Sequence, residues 1–420
     1  MIIKNVRVID PNCSRDEVTD FYIYDKVIVS EDEYFLKNKD SEDEIIDGTG
    51  LLLGPGFVDV HVHFREPGQE YKEDIHTGAL AALRGGYTSV VMMANTSPAV
   101  DSVETLKKVL DKAKSENLNI YACGSVTRGL GGSELTDFKE LFCAGAVGFT
   151  DDGKPILDKA LLSEAMTAAA ALDVPISLHE EDPGYITSNG SNATSPREAE
   201  ITMIKRDIEI ASASKVKLNI QHISSKEGVE LVRCAKKLNQ NIHCEATPHH
   251  ISLTQSAVKE FGTNAKMNPP LREEDDRQAL WEGIADGTVD IIATDHAPHS
   301  SEEKSRDFAD APSGIIGLET AFCVINTVLI NREIIDYPKM FELMSLNPAR
   351  LYGLNAGTLS VGAPADIVIL DPGDITVFDS FRSKSCNSPF LGKSLTGRVK
   401  FTIVGGKIVY GDTLDTSESL

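Results

Sequence analysis

Hydrophobic and polar positions change rhythm twice along the chain. Near the N-terminal end, residues 1–9, 21–30 and 43–53 are short strand-like runs, the last closing on Leu51-Leu52-Leu53 before Gly54-Pro55-Gly56. Near the C-terminal end, 365–370 and 400–404 read as strands, and Lys407-Ile408-Val409-Tyr410 follows a Gly405-Gly406 turn that marks a hairpin. Between these ends, short apolar runs alternate with longer stretches of helical spacing. The runs are 57–63, 87–94, 119–124, 146–150, 174–179, 217–223, 241–246 and 289–295. Helical stretches include 102–116, 158–172, 196–213 and 225–238. In the first, Val103, Leu106, Val109, Leu110 and Ala113 recur on one face. Eight strands with intervening helices predict an α/β fold, a (β/α)8 barrel of the TIM type whose chemistry sits at the C-terminal strand ends. The terminal strands predict one small β-sandwich domain, discontinuous in sequence. Residues 1–53 and 354–420 would form it, around a barrel domain of 54–353. The polar tail after 411 is expected to fray.

Composition narrows the function classes. Lys and Arg number 41 against 64 Asp and Glu, a net charge of −23 in 420 residues. So acidic a chain is a poor non-specific binder of nucleic acid or of anionic membrane. No uncharged apolar run reaches the roughly 18 residues that a membrane span requires. Charge interrupts the first ten residues too early for a signal peptide. Cys13, Cys123, Cys143, Cys234, Cys244, Cys323 and Cys386 are widely spaced with no Cys-x-x-Cys pair, which fits a reducing cytosol rather than a disulfide framework or a structural zinc site.

The strand ends carry the chemistry. In Val60-His61-Val62-His63-Phe64-Arg65, strand alternation puts His61, His63 and Arg65 on one face and the apolar residues on the other. Two imidazoles so spaced grip a divalent metal, and an arginine next in line can fork onto a carboxylate beside it. Strand four runs into Asp151-Asp152, strand five ends in His179, strand six carries His222, and strand eight ends in Asp295-His296. Singly, each has a plainer reading: Asp151 or Asp152 could cap a helix, and His179 could be a packed core residue. Five strands delivering such groups to one barrel mouth argue for a metal site of the zinc kind. A metal there lowers the pKa of water to roughly 7 and polarises a carbonyl. Asp295, across the mouth from His61 and His63, is the candidate to take the water's proton and pass it to a leaving nitrogen. No Ser-His-Asp arrangement, Gly-x-Ser-x-Gly elbow or phosphate-binding Gly-Lys-Ser/Thr loop competes.

His61-Val62-His63-Phe64-Arg65-Glu66-Pro67-Gly68-Gln69-Glu70 resembles the first-strand motif of class I (long bacterial) dihydroorotases of the amidohydrolase superfamily. Four further segments resemble that family: Lys266-Met267-Asn268-Pro269-Pro270-Leu271-Arg272, Ala293-Thr294-Asp295-His296-Ala297-Pro298-His299, Ala311-Pro312-Ser313-Gly314 and Gly317-Leu318-Glu319-Thr320-Ala321. The resemblance implies reversible closure of N-carbamoyl-L-aspartate to L-dihydroorotate, the third step of pyrimidine synthesis, in the cytoplasm. It implies His61, His63, Asp152, His179, His222 and Asp295 as ligands of one or two zinc ions, with Asp295 doubling as proton shuttle. Arg65, Asn95 and His299 would hold the substrate's α-carboxylate, and Asn268 would contact the ring. The choice of Asp152 over Asp151 follows the family's spacing to the strand-five histidine. Where many amidohydrolases carry a carboxylated lysine, this chain has Asp151-Asp152-Gly153, and Lys154 reads as solvent-facing. Met93-Ala94-Asn95-Thr96 lacks the family's usual proline. A homodimer and an association with aspartate carbamoyltransferase stay open.

Two rivals share the motifs in part. A dihydropyrimidinase or allantoinase would use the same metal chemistry on rings without the carboxylate that Arg65, Asn95 and His299 would hold. A non-catalytic partner of aspartate carbamoyltransferase would have lost ligands, and none is missing. The polar stretch 297–314 reads equally as a lid and as an ordinary loop. His249 and His250 are left outside the site, His76 reads as a helix-surface residue, His243 as strand packing and Trp281 as core. Glu180-Glu181-Asp182 stays undecided between solvent and support of the site.

Overall fold

The computed structural model describes residues 1–38, 44–186 and 195–411; the polar tail expected to fray lies outside them. The chain opens with β1 (Ile2–Asp10), β2 (Arg15–Tyr24), β3 (Val27–Val29), β4 (Ile45–Asp47) and β5 (Leu52–Pro55). The run 21–30 is thus two strands, turned at Asp25 in a left-handed conformation (φ 56°). The run 43–53 is two strands parted by Gly48-Thr49-Gly50, where Asp47 accepts from the Thr49 amide at 3.0 Å. A helix, Glu31–Lys37, capped by Ser30, intervenes where no helix is predicted.

The barrel follows: β6 (Phe57–Val62), β7 (Tyr87–Met92), β8 (Asn119–Ala122), β9 (Pro175–Leu178), β10 (Lys217–Ile220), β11 (Ile242–Ala246) and β12 (Ile291–Ile292). β6, β7 and β8 pair in parallel, as do β9, β10, β11 and β12. Phe149 bridges Gly124 to Ile176, and His296 bridges Val62, so the staves run round a closed ring. The predicted fourth strand, 146–150, is reduced to that bridge. β12 is shorter than the predicted 289–295, and beyond it the Thr294 amide donates to the buried Asp59 carboxylate, 3.2 Å away.

Strict alternation fails in β6. Asp59 faces Val90 of β7 and Val62 faces Met92, so β6 holds one residue more than its neighbour over that interval. Bulges of this kind re-aim side chains beside active sites. Val60 packs with Val58, Val91, Met93 and Ile291, apart from Val62 and Phe64, which join the main core. His61 turns to Glu245 instead.

The predicted helices appear as Val103–Ala113, Lys159–Ala171, Arg197–Ser214 and Lys226–Lys236. Ser102, Asp158 and Ser225 cap three of them by accepting backbone amides of the first turn. Leu106, Val109 and Ala113 are buried as the periodicity requires. Trp281 is half-buried rather than core: its indole donates to the Ile251 carbonyl at 2.9 Å while Arg277 and Arg332 cover the ring.

The chain returns with β13 (Ile367–Val377), β14 (Ser394–Val404) and β15 (Lys407–Gly411). These join the first five strands in one eight-stranded sheet of order β15-β14-β13-β5-β1-β2-β3, with β4 paired to β1. β13 runs antiparallel to β5 with Ile367 opposite Pro55, which ties the two ends of the sequence together. Among the described residues no helix is long and apolar enough to cross a membrane.

Candidate functional site

Six side chains from five staves converge at the C-terminal mouth of the barrel. His61 Nε2 lies 3.5 Å from both Asp152 Oδ1 and Asp295 Oδ1. His63 Nε2 lies 3.0 Å from Asp295 Oδ1 and 3.4 Å from Asp152 Oδ2. His179 Nδ1 and His222 Nε2 are each 3.9 Å from Asp152 Oδ1 and 3.0 Å from one another. Asp152 is therefore the hub. Its neighbour Asp151 turns away and accepts the Val126 and Thr127 amides at 2.8 and 3.0 Å and the Thr127 hydroxyl. His222 and Asp295 stand just past β10 and β12 with φ of 34° and 47°, and Arg65 has φ 59° just past β6. Non-glycine residues held there are strained, and such strain clusters at functional sites.

The imidazoles are aimed by what lies behind them. His61 Nδ1 meets Glu245 Oε2 at 2.9 Å, His63 Nδ1 meets Asn95 Oδ1 at 2.9 Å, and His179 Nε2 meets Glu181 Oε2 at 2.8 Å. Each bond leaves the other ring nitrogen directed at the carboxylates, as in metal sites whose histidines are oriented from behind. His61 Nε2 is buried with no hydrogen-bond partner. Two groups, His61-His63-Asp295 and His61-Asp152-His222, each bring their ligand atoms within 4.8 Å of one another. An orphaned buried nitrogen among imidazole and carboxylate donors fits a divalent metal ion.

Electrostatics agree with that fit. Burial would raise the Asp152 carboxyl, yet His61, His63 and His179 hold it well below the usual range. Burial would lower His61, yet Asp152, Glu245 and Asp295 raise it well above its ordinary value. Burial, with His179 and His61 alongside, drives His222 well down.

The other end of the cavity, about 200 Å³ in volume, is cationic and built on loops. Arg65 donates from Nε to the Pro298 carbonyl at 3.2 Å, and its Nη2 lies 3.5 Å from His299 Nε2. Burial, Arg65, Lys72 and Lys304 push the His299 imidazole down to about 2. Asn268 lines the cavity and accepts from Ser313 Oγ at 3.0 Å. Asn95 also lines it, but its amide is engaged: Nδ2 donates to Asp152 Oδ2 at 3.0 Å while Oδ1 holds His63.

The stretch 297–314 is fastened rather than hinged. Lys266 donates to the carbonyls of Ala309 and Ala311 at 3.0 and 2.7 Å, and Lys304 to those of Pro312 and Gly314 at 3.0 and 2.9 Å. Asn387, from the segment between β13 and β14, clamps both ends through the Ala297 and Gly314 carbonyls, each at 3.0 Å.

Sequence reasoning missed Glu245, Asp59, Lys72 and Asn387, and left Glu181 undecided. Glu245 did carry a signal, a lone acid within the apolar end of a strand (Cys244-Glu245-Ala246). His250 lies between Thr247 Oγ1 and the Pro269 carbonyl, His243 bonds Asp290, and His76 is exposed beside Glu116. His249 is buried. Lys154 is exposed.

The amidohydrolase family pattern matches residues 52–409. A dihydroorotase of Clostridioides difficile (strain 630) is 49% identical over 98% of this chain and 99% of its own length. One of Clostridium acetobutylicum is 48% identical, covering 98% of this chain and all of its own. Among solved structures, the L-hydantoinase (dihydropyrimidinase) of Arthrobacter aurescens is similar with a TM-score of 0.88 and 26% identity, over 100% of this chain and 97% of that one.

Proposed function

The chain belongs to the amidohydrolase family, and we propose that within it the chain acts as a dihydroorotase, interconverting N-carbamoyl-L-aspartate and L-dihydroorotate in pyrimidine synthesis. The observation that carries the substrate is the convergence of the Arg65 guanidinium and the His299 imidazole to 3.5 Å on the cavity wall, beside the His/Asp cluster. A ring carboxylate satisfies both. A ring without one leaves the half-buried Arg65 guanidinium with no carboxylate to fork onto, which a site built for hydrogen bonding penalises.

His61, His63, Asp152, His179, His222 and Asp295 would hold the metal, zinc best suiting that donor mixture, as one ion or two. Bound there, it would supply Lewis acidity, polarising the amide carbonyl and acidifying water. The chain's own residues do the rest. In the hydrolytic direction water adds to the ring amide carbon and the C–N bond breaks. Asp295 takes the water's proton and returns it to the departing nitrogen; the reverse order closes the ring. Arg65 forks onto the α-carboxylate in a geometry that a lysine would not match, with His299 and Asn95 on its flank and Asn268 against the ring. With a net charge of −23, this local cation supply is what attracts a dianionic substrate.

The same reading assigns residues 1–53 and 354–420 to a discontinuous β-sandwich domain and 54–353 to the barrel. The packing of Ile3, Val6, Leu53, Ile367 and Ile403 in one apolar cluster supports it. It places the enzyme in the cytoplasm, as a homodimer or with aspartate carbamoyltransferase, states that sedimentation of the chain alone and with the transferase separates.

The test is hydrolysis of dihydroorotate by the purified, zinc-loaded chain, followed in the ultraviolet, with dihydrouracil and allantoin in parallel. Turnover of dihydroorotate alone is the expected result. Turnover of the other two in its place overturns the carboxylate reading. If none is consumed, the assay is repeated with the carbamoyltransferase added, and silence there too overturns the activity.

A further inference from the structure

Behind His299 lies a buried lysine that the reaction above does not use. Lys72 is 7% exposed, and its Nζ lies 3.3 Å from His299 Nδ1 and 2.9 Å from Glu303 Oε1. Tyr71 donates to the same Glu303 oxygen at 3.0 Å. On its other side, His299 Nε2 lies 2.8 Å from the Ser313 carbonyl oxygen.

These two contacts fix the imidazole's proton independently. An ammonium has donors and no acceptor, so Nδ1 beside it must be the bare nitrogen. A carbonyl has acceptors and no donor, so Nε2 beside it must carry the hydrogen. Both constraints name the Nε2–H tautomer; Arg65 Nη2, itself a donor, stands 3.5 Å from Nε2, too far to outweigh the Ser313 carbonyl at 2.8 Å. Glu303 pulls the other way: its Oε2 lies 3.7 Å from His299 Nδ1 and would draw a proton there if nothing stood between. The Nε2 atom would then be an acceptor turned toward an anionic group. Arg65, Lys72 and Lys304 act on this ring as cations, and Glu303 faces it as the anion.

We infer that Lys72 is a positioning residue, which occupies His299 Nδ1 and satisfies Glu303 so that Nε2 keeps its hydrogen, shared between the Ser313 carbonyl and the substrate's carboxylate. It touches no substrate and lines no part of the cavity; it sets the polarity of a residue that does. The carboxylate part of this inference rests on the dihydroorotase reading, whereas the tautomer does not.

The experiment is nitrogen-15 NMR of histidine-labelled protein, with the His299 signals assigned by their loss in His299→Gln. It is paired with KM for dihydroorotate between pH 6 and 9 in wild type, Lys72→Met and Lys72→Arg. Wild type should show a neutral Nε2–H ring across that range. Lys72→Met should shift toward the Nδ1–H form at high pH, and its KM relative to wild type should climb to about tenfold, the loss expected for one charge-assisted hydrogen bond. Lys72→Arg should stay near wild type in both. A purely structural lysine would move KM equally at every pH and leave the tautomer alone, and that result overturns the inference. An Nδ1–H ring in wild type overturns it without any variant, should Lys72→Met not fold. If the tautomer depends on Lys72 but wild type does not turn over dihydroorotate, the proposed substrate falls and the role of Lys72 stands.

Discussion

At one end of the cavity His61, His63 and His179 each give one ring nitrogen to Glu245, Asn95 or Glu181 and aim the other at Asp152 and Asp295. At the opposite end Arg65 and His299 stand on irregular backbone, steadied by carbonyls of Pro298 and Ser313 and by Lys72. Strands and the residues just past them position the first set; loops tied down by lysines and Asn387 position the second. The rigid end suits chemistry that tolerates little misplacement. The loop-borne end can change its ligand without disturbing the barrel. The L-hydantoinase of Arthrobacter aurescens, 26% identical, shares the fold at a TM-score of 0.88.

The sharpest way to break the comparison is to remove the proposed proton carrier at the rigid end. Asp295→Asn should lower kcat by roughly 10²–10⁴, the range for general acid–base groups, with an unchanged circular dichroism spectrum. A kcat within a few-fold of wild type would refute the shuttle role.

A smaller effect is expected at the loop end. Arg65→Met should lower kcat/KM for dihydroorotate by about 10- to 100-fold, the worth of a hydrogen bond to a charged group. Metal content by elemental analysis should stay at the wild-type level, because Arg65 bonds Pro298 rather than the cluster. Loss of metal along with affinity would show that the two ends are not separable.

The two ends were also unequally legible in the sequence. Candidate ligands could be read because strand ends are found from apolar runs and the barrel topology brings those ends together. What the runs could not show is the bulge in β6, which separates Val60 from Val62 and sends His61 toward Glu245. Nor could they show which member of Asp151-Asp152 points inward, since that depends on Val126 and Thr127 amides 25 and 24 residues away in sequence claiming Asp151. At the loop end only the resemblance singled out His299 and Asn268, and the supports Lys72, Lys304 and Asn387 carry no periodic signal at all. Asn387 reaches its partners from 73 and 90 residues along the chain. Such contacts belong to tertiary packing and leave no trace in local spacing.

The fastening of the loop end has its own pH signature, and it is the smallest of the expected effects. Lys304 is 5% exposed and donates to the Pro312 and Gly314 carbonyls; burial, with Lys266 nearby, lowers its ammonium to about 7. In the unfolded chain a lysine titrates near 10.4. Between those values the unfolded state binds the proton and the folded state does not, so the Lys304 contribution to stability rises as pH climbs from about 7 to about 10 and is flat below 7. Lys304→Met removes that slope. Melting temperature measured at pH 6, 7, 8 and 9 should therefore diverge between the two proteins, wild type gaining relative to the variant by about 2–5 °C over the upper part of the range. The rigid end supplies the control: both proteins keep the same His/Asp cluster, so its titration cancels in the difference. Parallel curves would mean that the Lys304 ammonium stays charged in its carbonyl cage, and the loop would then be held by a permanent cation rather than by one that releases its proton near neutrality.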